Sequence, residues 1–200
     1  DGNSSKTNQC PLSFRKQPLD KSPSSPSMTT TSLSDVYGID VSILDHRNRE
    51  IADGILAVQL AAYQQEAALL RVERFPPLDR NVFDILESND DFFGARIDDV
   101  IVGVFSLEAA NGETPACISS MTVIPEYQRR GVARALMSEL LRAFDEEHLT
   151  VSTGMRNEPA LALYRQFGFA VTQSRILREF DLEIAELRRG PKGGRPDVEW

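Results

Sequence analysis

The chain has 200 residues, with 22 basic and 30 acidic side chains and a net charge of −8. A hydrophobic content of 41% beside 26% charged residues is that of a folding globular chain, which excludes disordered and fibrous classes. The length suits one domain with a sizeable core rather than two.

The first 34 residues contribute four basic and two acidic side chains, so the remainder is more acidic still. That balance argues against a nucleic-acid partner and is compatible with a cationic small molecule or a peptide amine. Two cysteines, Cys10 and Cys117, are too few for a disulfide framework. The two histidines, His46 and His148, stand apart in charged surroundings, so no metal site is expected. No apolar run approaches the length of a membrane span and no signal-peptide core is visible, so a cytoplasmic protein without a membrane partner is predicted.

Residues 1–34 are rich in Ser, Thr, Pro, Asn and Lys and read as a disordered leader. Met28 sits near its end and is the expected natural start, which makes residues 1–27 an added or upstream extension. The domain is expected over residues 35–188 and a flexible, glycine-rich tail over residues 189–200. A short strand, "IDVSIL", is followed by a helical pattern from Arg49 to Val72, with Ile51, Ile55, Val58, Ala62 and Ala68 on its apolar stripe. Pro76 and Pro77 stop it, and a short helical segment, "NVFDILES", follows.

The period then changes to that of strands. "DFFGARI" and "VIVGVFSLE" form a hairpin around Asp98 and Asp99, and "NGETP" turns the chain into a third strand, "ACISSMTVI". A helix from Gly131 to about Glu147 comes next, with Val132, Leu136, Leu140 and Phe144 on one face. After the strand "LTVST", Asn157 caps a helix with Pro159 in its first turn, and Gly168 is placed to close it in a left-handed cap. "FAVTQSRILREFDLEI" reads as one final strand. The order is β-α-α-β-β-β-α-β-α-β, a mixed α/β (α+β) domain.

The stretch "QRRGVARAL", Gln128–Leu136, sets arginines and a glycine at the start of a helix. Free N–H groups over residues 129–134 and the positive helix end suit a phosphate group, with Arg129, Arg130 and Arg134 supplying charge and Gly131 and Ala133 leaving room. A plain turn with solvated arginines would use the same residues.

The pattern Gln128, Arg129, Arg130, Gly131, Val132, Ala133 resembles the acetyl-CoA motif of the GNAT N-acetyltransferase superfamily, and "NEPALALYRQFGF" resembles that family's second segment. The resemblance implies a mostly antiparallel central sheet, flanked by helices, with one splayed parallel strand pair. It also implies acetyl-CoA as acyl donor, with no metal. The pantetheine arm would pair with the backbone of Met121 and Val123, and the pyrophosphate would rest on Arg129, Arg130, Gly131, Val132, Ala133 and Arg134. Asn157 would contact the cofactor, act as a helix cap, or do both.

Tyr164 stands where the family has the tyrosine that protonates the leaving thiolate; the residue is also a plausible buried aromatic beside Leu161 and Phe167. The acceptor would be a small-molecule or peptide amine. Alkylamines have a pKa of about 10.4, so a base is needed, and Glu73, Glu108 and Glu126 are candidates by location. A backbone N–H of the fourth strand would face the oxyanion of the transition state, and Cys117 reads as a small strand residue rather than a nucleophile. An acyl-CoA-binding sensor without transfer activity is the alternative. Exposed edge strands in this fold could pair across a homodimer. The lysine and hydroxyl residue of a P-loop are missing after Gly131, which disfavours a nucleotide-phosphate enzyme.

Overall fold

A computed structural model of the chain describes residues 38–144 and 148–190. The expected leader, and the tail beyond residue 190, lie outside the described residues.

Eleven elements follow in chain order: β1 (Asp40–Leu44), α1 (Arg49–Leu70), α2 (Val82–Leu86), β2 (Asp91–Ile97), β3 (Val100–Glu108), β4 (Ala116–Val123), α3 (Val132–Ala143), β5 (Leu149–Gly154), α4 (Glu158–Gln166), β6 (Ala170–Leu177) and β7 (Leu182–Arg189). The seven strands form one sheet in the order β1-β2-β3-β4-β5-β7-β6. Every neighbouring pair is antiparallel except β4 with β5, as the mixed, mostly antiparallel fold class requires. No helix among the described residues is long and apolar enough to cross a membrane.

Local chemistry explains most boundaries. Asn48 caps α1 by accepting from the backbone N–H groups of Glu50 and Ile51. Asn81 and Asp84 form a capping box on α2. Asp98 and Asp99 both have positive φ, the geometry of a tight two-residue hairpin turn, and place Ile97 opposite Val100. Helix α4 ends as expected, with the N–H of Gly168 on Arg165 O at 3.1 Å and that of Phe169 on Tyr164 O at 3.1 Å, the two bonds of a Schellman cap.

The sequence reading differs from the structure at three places. The final strand-like stretch is a hairpin of two strands, β6 and β7, folded at a 3-10 turn over Arg178–Phe180 and closed by Asp181 in the left-handed region (φ 47°). Neither Gly nor Pro marks that turn; Asp tolerates the left-handed region through its short polar side chain. Gly131 is the N-cap of α3 rather than its first residue, and the helix ends at Ala143. Ala68, placed on the apolar stripe of α1, is exposed, because the buried face instead runs through Ile55, Gln59, Tyr63 and Leu70.

The sheet separates two cores. On one face Val132, Leu136, Met137 and Leu140 of α3 and Leu161 and Tyr164 of α4 pack against Phe105, Leu107 and Val151. On the other, Ala52, Ile55 and Val58 of α1 and Val82 and Ile85 of α2 pack against Phe92 and Val104. Strand β3 lies in the middle and is buried on both faces. Helix α3 sits directly on it: a Cβ at Gly103 would lie 2.7 Å from Val132 Cγ1 and 3.1 Å from Leu136 Cδ1.

The first turn of α3 therefore seats only where β3 has no side chain. Gly103→Ala is predicted to destabilise the fold by about 1–3 kcal/mol through overpacking, read as a lower urea midpoint at unchanged slope. An unchanged midpoint would show that α3 is not held by this contact.

Candidate active site

Strands β4 and β5 pair only through Ala116–Leu149, Cys117–Thr150 and Ile118–Val151. Beyond that point β5 continues with β7, and β4 continues with β3, so the two strands part. The register of β4 on β3 slips at the same place: Leu107 faces Ile118 and Ser106 faces Ser120, which leaves Ser119 as a bulge. The N–H of Ile124 bonds to Val102 O at 2.9 Å. By strand alternation the peptide groups of Thr122 and Ile124 face β3, and those of Met121 and Val123 face the open side. One of them is engaged, since the Gln128 side-chain amide donates to Val123 O at 3.2 Å.

At the end of β4 the chain makes a 3-10 turn over Pro125–Tyr127 and then enters α3. Arg129 and Gly131 both have positive φ (62° and 90°), so the backbone alternates in a way that turns successive N–H groups toward a common side. A Cβ on Gly131 would meet nothing within 4 Å, so glycine is demanded there by φ and not by crowding. The first backbone bond into the helix is Ala135 N–H to Gly131 O, at 2.9 Å, which leaves the N–H groups of Val132, Ala133 and Arg134 as free donors at the helix start. No side chain caps this end and its first turn holds no acid, so its positive character is left uncancelled.

Arg130 lies over the Tyr127 ring at 5.1 Å, and Arg134 donates to Gln166 Oε1 at 3.2 Å. Arg129 is exposed. The corner thus joins free N–H donors to exposed arginine charge.

Where the strands part, a cavity of about 190 Å³ opens, lined among others by Tyr63, Glu66, Met121, Asn157 and Tyr164. Tyr164, on α4, is 4% exposed, and its ring meets Phe169 at 5.7 Å. Burial, reinforced by the nearby Glu66, Tyr63 and Cys117, pushes its phenol well above the ordinary value, so it stays protonated at neutral pH. Asn157 uses both ends of its amide: Oδ1 accepts from the Ala160 N–H at 3.2 Å, and Nδ2 donates to Glu66 Oε1 at 2.9 Å.

The three glutamates suggested by sequence do not line this cavity. Glu73 and Glu126 are exposed, and Glu108 pairs with Cys117 at the end where β4 and β5 are still joined. Glu66 lines it instead. Burial raises its pKa, and the Asn157 hydrogen bond opposes that shift. A sequence signal existed: Gln59, Tyr63, Glu66 and Leu70 stand at i, i+4, i+7 and i+11, one helix face, so a carboxylate falls on the buried stripe of α1. Gln59, fully buried, anchors that face by donating to Ser120 Oγ (3.1 Å) and accepting from Arg80 Nη1 (3.2 Å), and Ser120 is 2.9 Å from Ser106 Oγ.

An uncapped helix start follows the strand whose open backbone edge borders the cavity of the buried phenol, and residues 59–169, more than half of the chain, match the family model described as Acetyltransferase (GNAT) family. The chain belongs to the GNAT acetyltransferase family. It is 35% identical over 130 residues to the UPF0157 protein YqkA of Bacillus subtilis, a match that covers 64% of this chain and 37% of that protein. The chain thus spans little more than a third of that curated relative's length.

Among solved structures, the ribosomal-protein-S18-alanine N-acetyltransferase of Escherichia coli superposes with a TM-score of 0.57 at 16% identity, covering 81% of this chain and 99% of that one. The PaiA N-acetyltransferase of Thermoplasma acidophilum, in complex with coenzyme A, gives a TM-score of 0.57 at 15% identity, covering 74% and 97%. At these identities the likeness is one of fold.

The half-buried carboxyl gives a stability signature. Burial disfavours the charged form of Glu66, so its native pKa lies above the unfolded value of about 4.3, and the protein loses stability as pH rises from that value through the native one. Glu66→Gln, neutral throughout, is predicted to gain Tm relative to wild type across that interval. Below about pH 4 the two melting curves run parallel. A Tm difference independent of pH would show that Glu66 is solvated as an ordinary surface carboxylate.

Proposed function

We propose that the domain is an N-acetyltransferase that moves the acetyl group of acetyl-CoA to a primary amine by direct attack in a ternary complex. The observation that carries this reading is the parting of β4 from β5 after Ile118, with the phenol of Tyr164 buried beside the gap.

The residues present fit the donor. The outward peptide groups of Met121 and Val123 form an unpaired strand edge against which the amide-bearing pantetheine arm lies. Because Gln128 occupies the carbonyl of Val123, the N–H groups and the Met121 carbonyl carry this pairing. The free N–H groups at the start of α3, with Gly131, Val132 and Ala133, cradle the pyrophosphate, and Arg129, Arg130 and Arg134 neutralise it. Asn157 borders the same gap as cap of α4.

Tyr164 is the general acid: its proton is held firmly by burial and is given up to the sulfur as the carbon–sulfur bond breaks. A peptide N–H on the open side of β4 faces the developing oxyanion. Cys117 has no part as a nucleophile in a direct transfer.

Free-thiol release in the presence of acetyl-CoA and an amine panel tests the reading. Tyr164→Phe is predicted to lower kcat by about 10²–10⁴-fold while leaving the acetyl-CoA Kd within about twofold. Tight acetyl-CoA binding with no thiol release from any acceptor would instead identify an acyl-CoA-binding sensor. Arg129→Gln keeps the backbone and removes one charge; acetyl-CoA binding measured by calorimetry is predicted to weaken about three- to tenfold in low salt, and less at about 1 M salt, where screening is short-ranged. A salt-independent loss would assign Arg129 a structural role.

A further inference from the structure

We propose that the acceptor is a primary amine on an apolar or aromatic body with no anionic group beside the nitrogen, and that Glu66 receives its ammonium and takes its proton. The proposal rests on the transferase reading and names the substrate class of the same site.

Among the described residues that line the cavity, Glu66 carries the one formal charge at neutral pH; the other ionisable groups there are the phenols of Tyr63 and Tyr164. Both phenols are shifted upward, first by burial, so neither contributes a charge. No Arg, Lys or His is among the lining residues. Two arginines that contact lining residues are already engaged by protein groups. Arg80 is hydrogen-bonded to Tyr63 and donates to Gln59, and Arg156 donates to Leu70 O at 3.2 Å and lines a neighbouring hollow together with Asp181 and Glu183. Cys117 acts on Tyr164 from β4.

An entering ammonium therefore finds one opposite charge, held in place by the Asn157 amide at 2.9 Å. A carboxylate next to that ammonium would find no cation and would lie close to Glu66, where two like charges repel strongly in a partly desolvated site. Free amino acids are disfavoured on that ground, whereas alkylamines, amino-acid amides and peptide N-termini are not.

The remaining wall sets the body of the acceptor. Tyr63 and Phe75 meet edge to face at 5.9 Å, and Pro77, Leu182 and Ile184 continue an apolar surface. The volume of about 190 Å³ corresponds to roughly six waters at about 30 Å³ each, enough for an amine head and its first few carbons.

The proton balance closes. Glu66 takes one proton from the ammonium, and the free nitrogen bonds to the acyl carbon as the carbon–sulfur bond breaks. Tyr164 protonates the sulfur, and the second proton of the nitrogen restores Tyr164. Glu66 returns its proton to solvent, so one proton leaves per turnover. Burial raises Glu66 from its ordinary value, which makes it a better base than a solvated carboxylate.

The test uses phenethylamine, phenylalaninamide and phenylalanine, which share one body and differ beside the nitrogen. Thiol release is expected with the first two, and a kcat/KM at least about 30-fold lower with phenylalanine. Glu66→Gln is expected to lower kcat/KM for phenethylamine by about 10²-fold or more and to abolish the acid limb of its pH profile. Glu66→Asp keeps the charge and is expected to keep the discrimination against phenylalanine. Equal use of phenylalanine and phenylalaninamide, or an unchanged pH profile in Glu66→Gln, would overturn the proposal.

Calorimetry of phenethylamine binding in the presence of coenzyme A separates this proposal from the reading beneath it. Binding that weakens about tenfold or more in Glu66→Gln supports the cation site even if no acceptor releases thiol, in which case only the transferase reading fails. No phenethylamine binding to the wild type would overturn the proposal while leaving acetyl-CoA binding to be judged by itself.

Discussion

The loss of pairing between two adjacent parallel strands is the constraint on which the site depends. Strands β4 and β5 share three residue pairs and then diverge, and the divergence coincides with the bulge at Ser119. A bulge adds a residue to one strand, bends it and increases its twist, so β4 follows β3 while β5 follows β7. Unpaired peptide groups at the centre of a sheet would be costly if sealed from both water and partner. Here they border an open cleft, where solvent or a ligand can exchange hydrogen bonds with them.

Helix α1 closes this cleft from one side. Its buried stripe begins as an ordinary apolar face, with Ala52, Ile55 and Val58, and then turns polar at Gln59, Tyr63 and Glu66 as it reaches the gap. Buried polar groups must be satisfied to be tolerated, and Gln59 meets this condition through Arg80 and Ser120. Adjacent residues of the same turn then tie α1 to two other segments: Gln65 accepts from Gln128 on the loop before α3, and Glu66 accepts from Asn157 at the head of α4. Gln128, which opens the motif before α3, thus fixes the loop, since its amide bonds both Val123 O and Gln65.

The electrostatics of the two ends are opposite. At the start of α3, free N–H groups and arginines create a positive corner. In the cavity the formal charge among the described lining residues is that of Glu66. In the proposed reaction an anionic donor and a cationic acceptor would be sorted to different ends, and the phenol of Tyr164 lies on the cavity wall, buried and protonated.

Elements whose cause is local were legible in the amino-acid order. The two-residue turn at Asp98–Asp99, the Asn157 cap and the Gly168 cap each follow from the conformational preferences of a few neighbouring residues, and so does the motif from Gln128 to Ala133 at the start of α3. The turn at Asp181 was not legible, because a left-handed aspartate carries no Gly or Pro signal. The carboxylate was legible only as one position on the inward face of α1: Glu73, Glu108 and Glu126 are candidates by their expected place at the acceptor mouth or in the loop before α3, whereas Glu66 reaches the cleft from a helix 91 positions before its partner Asn157. The sequence by itself determined the glycine-and-arginine corner at the start of α3 and the helix that bears Tyr164. Tertiary structure alone decided where the strands part and which acid faces the gap, since both depend on pairing and packing between segments far apart in the chain.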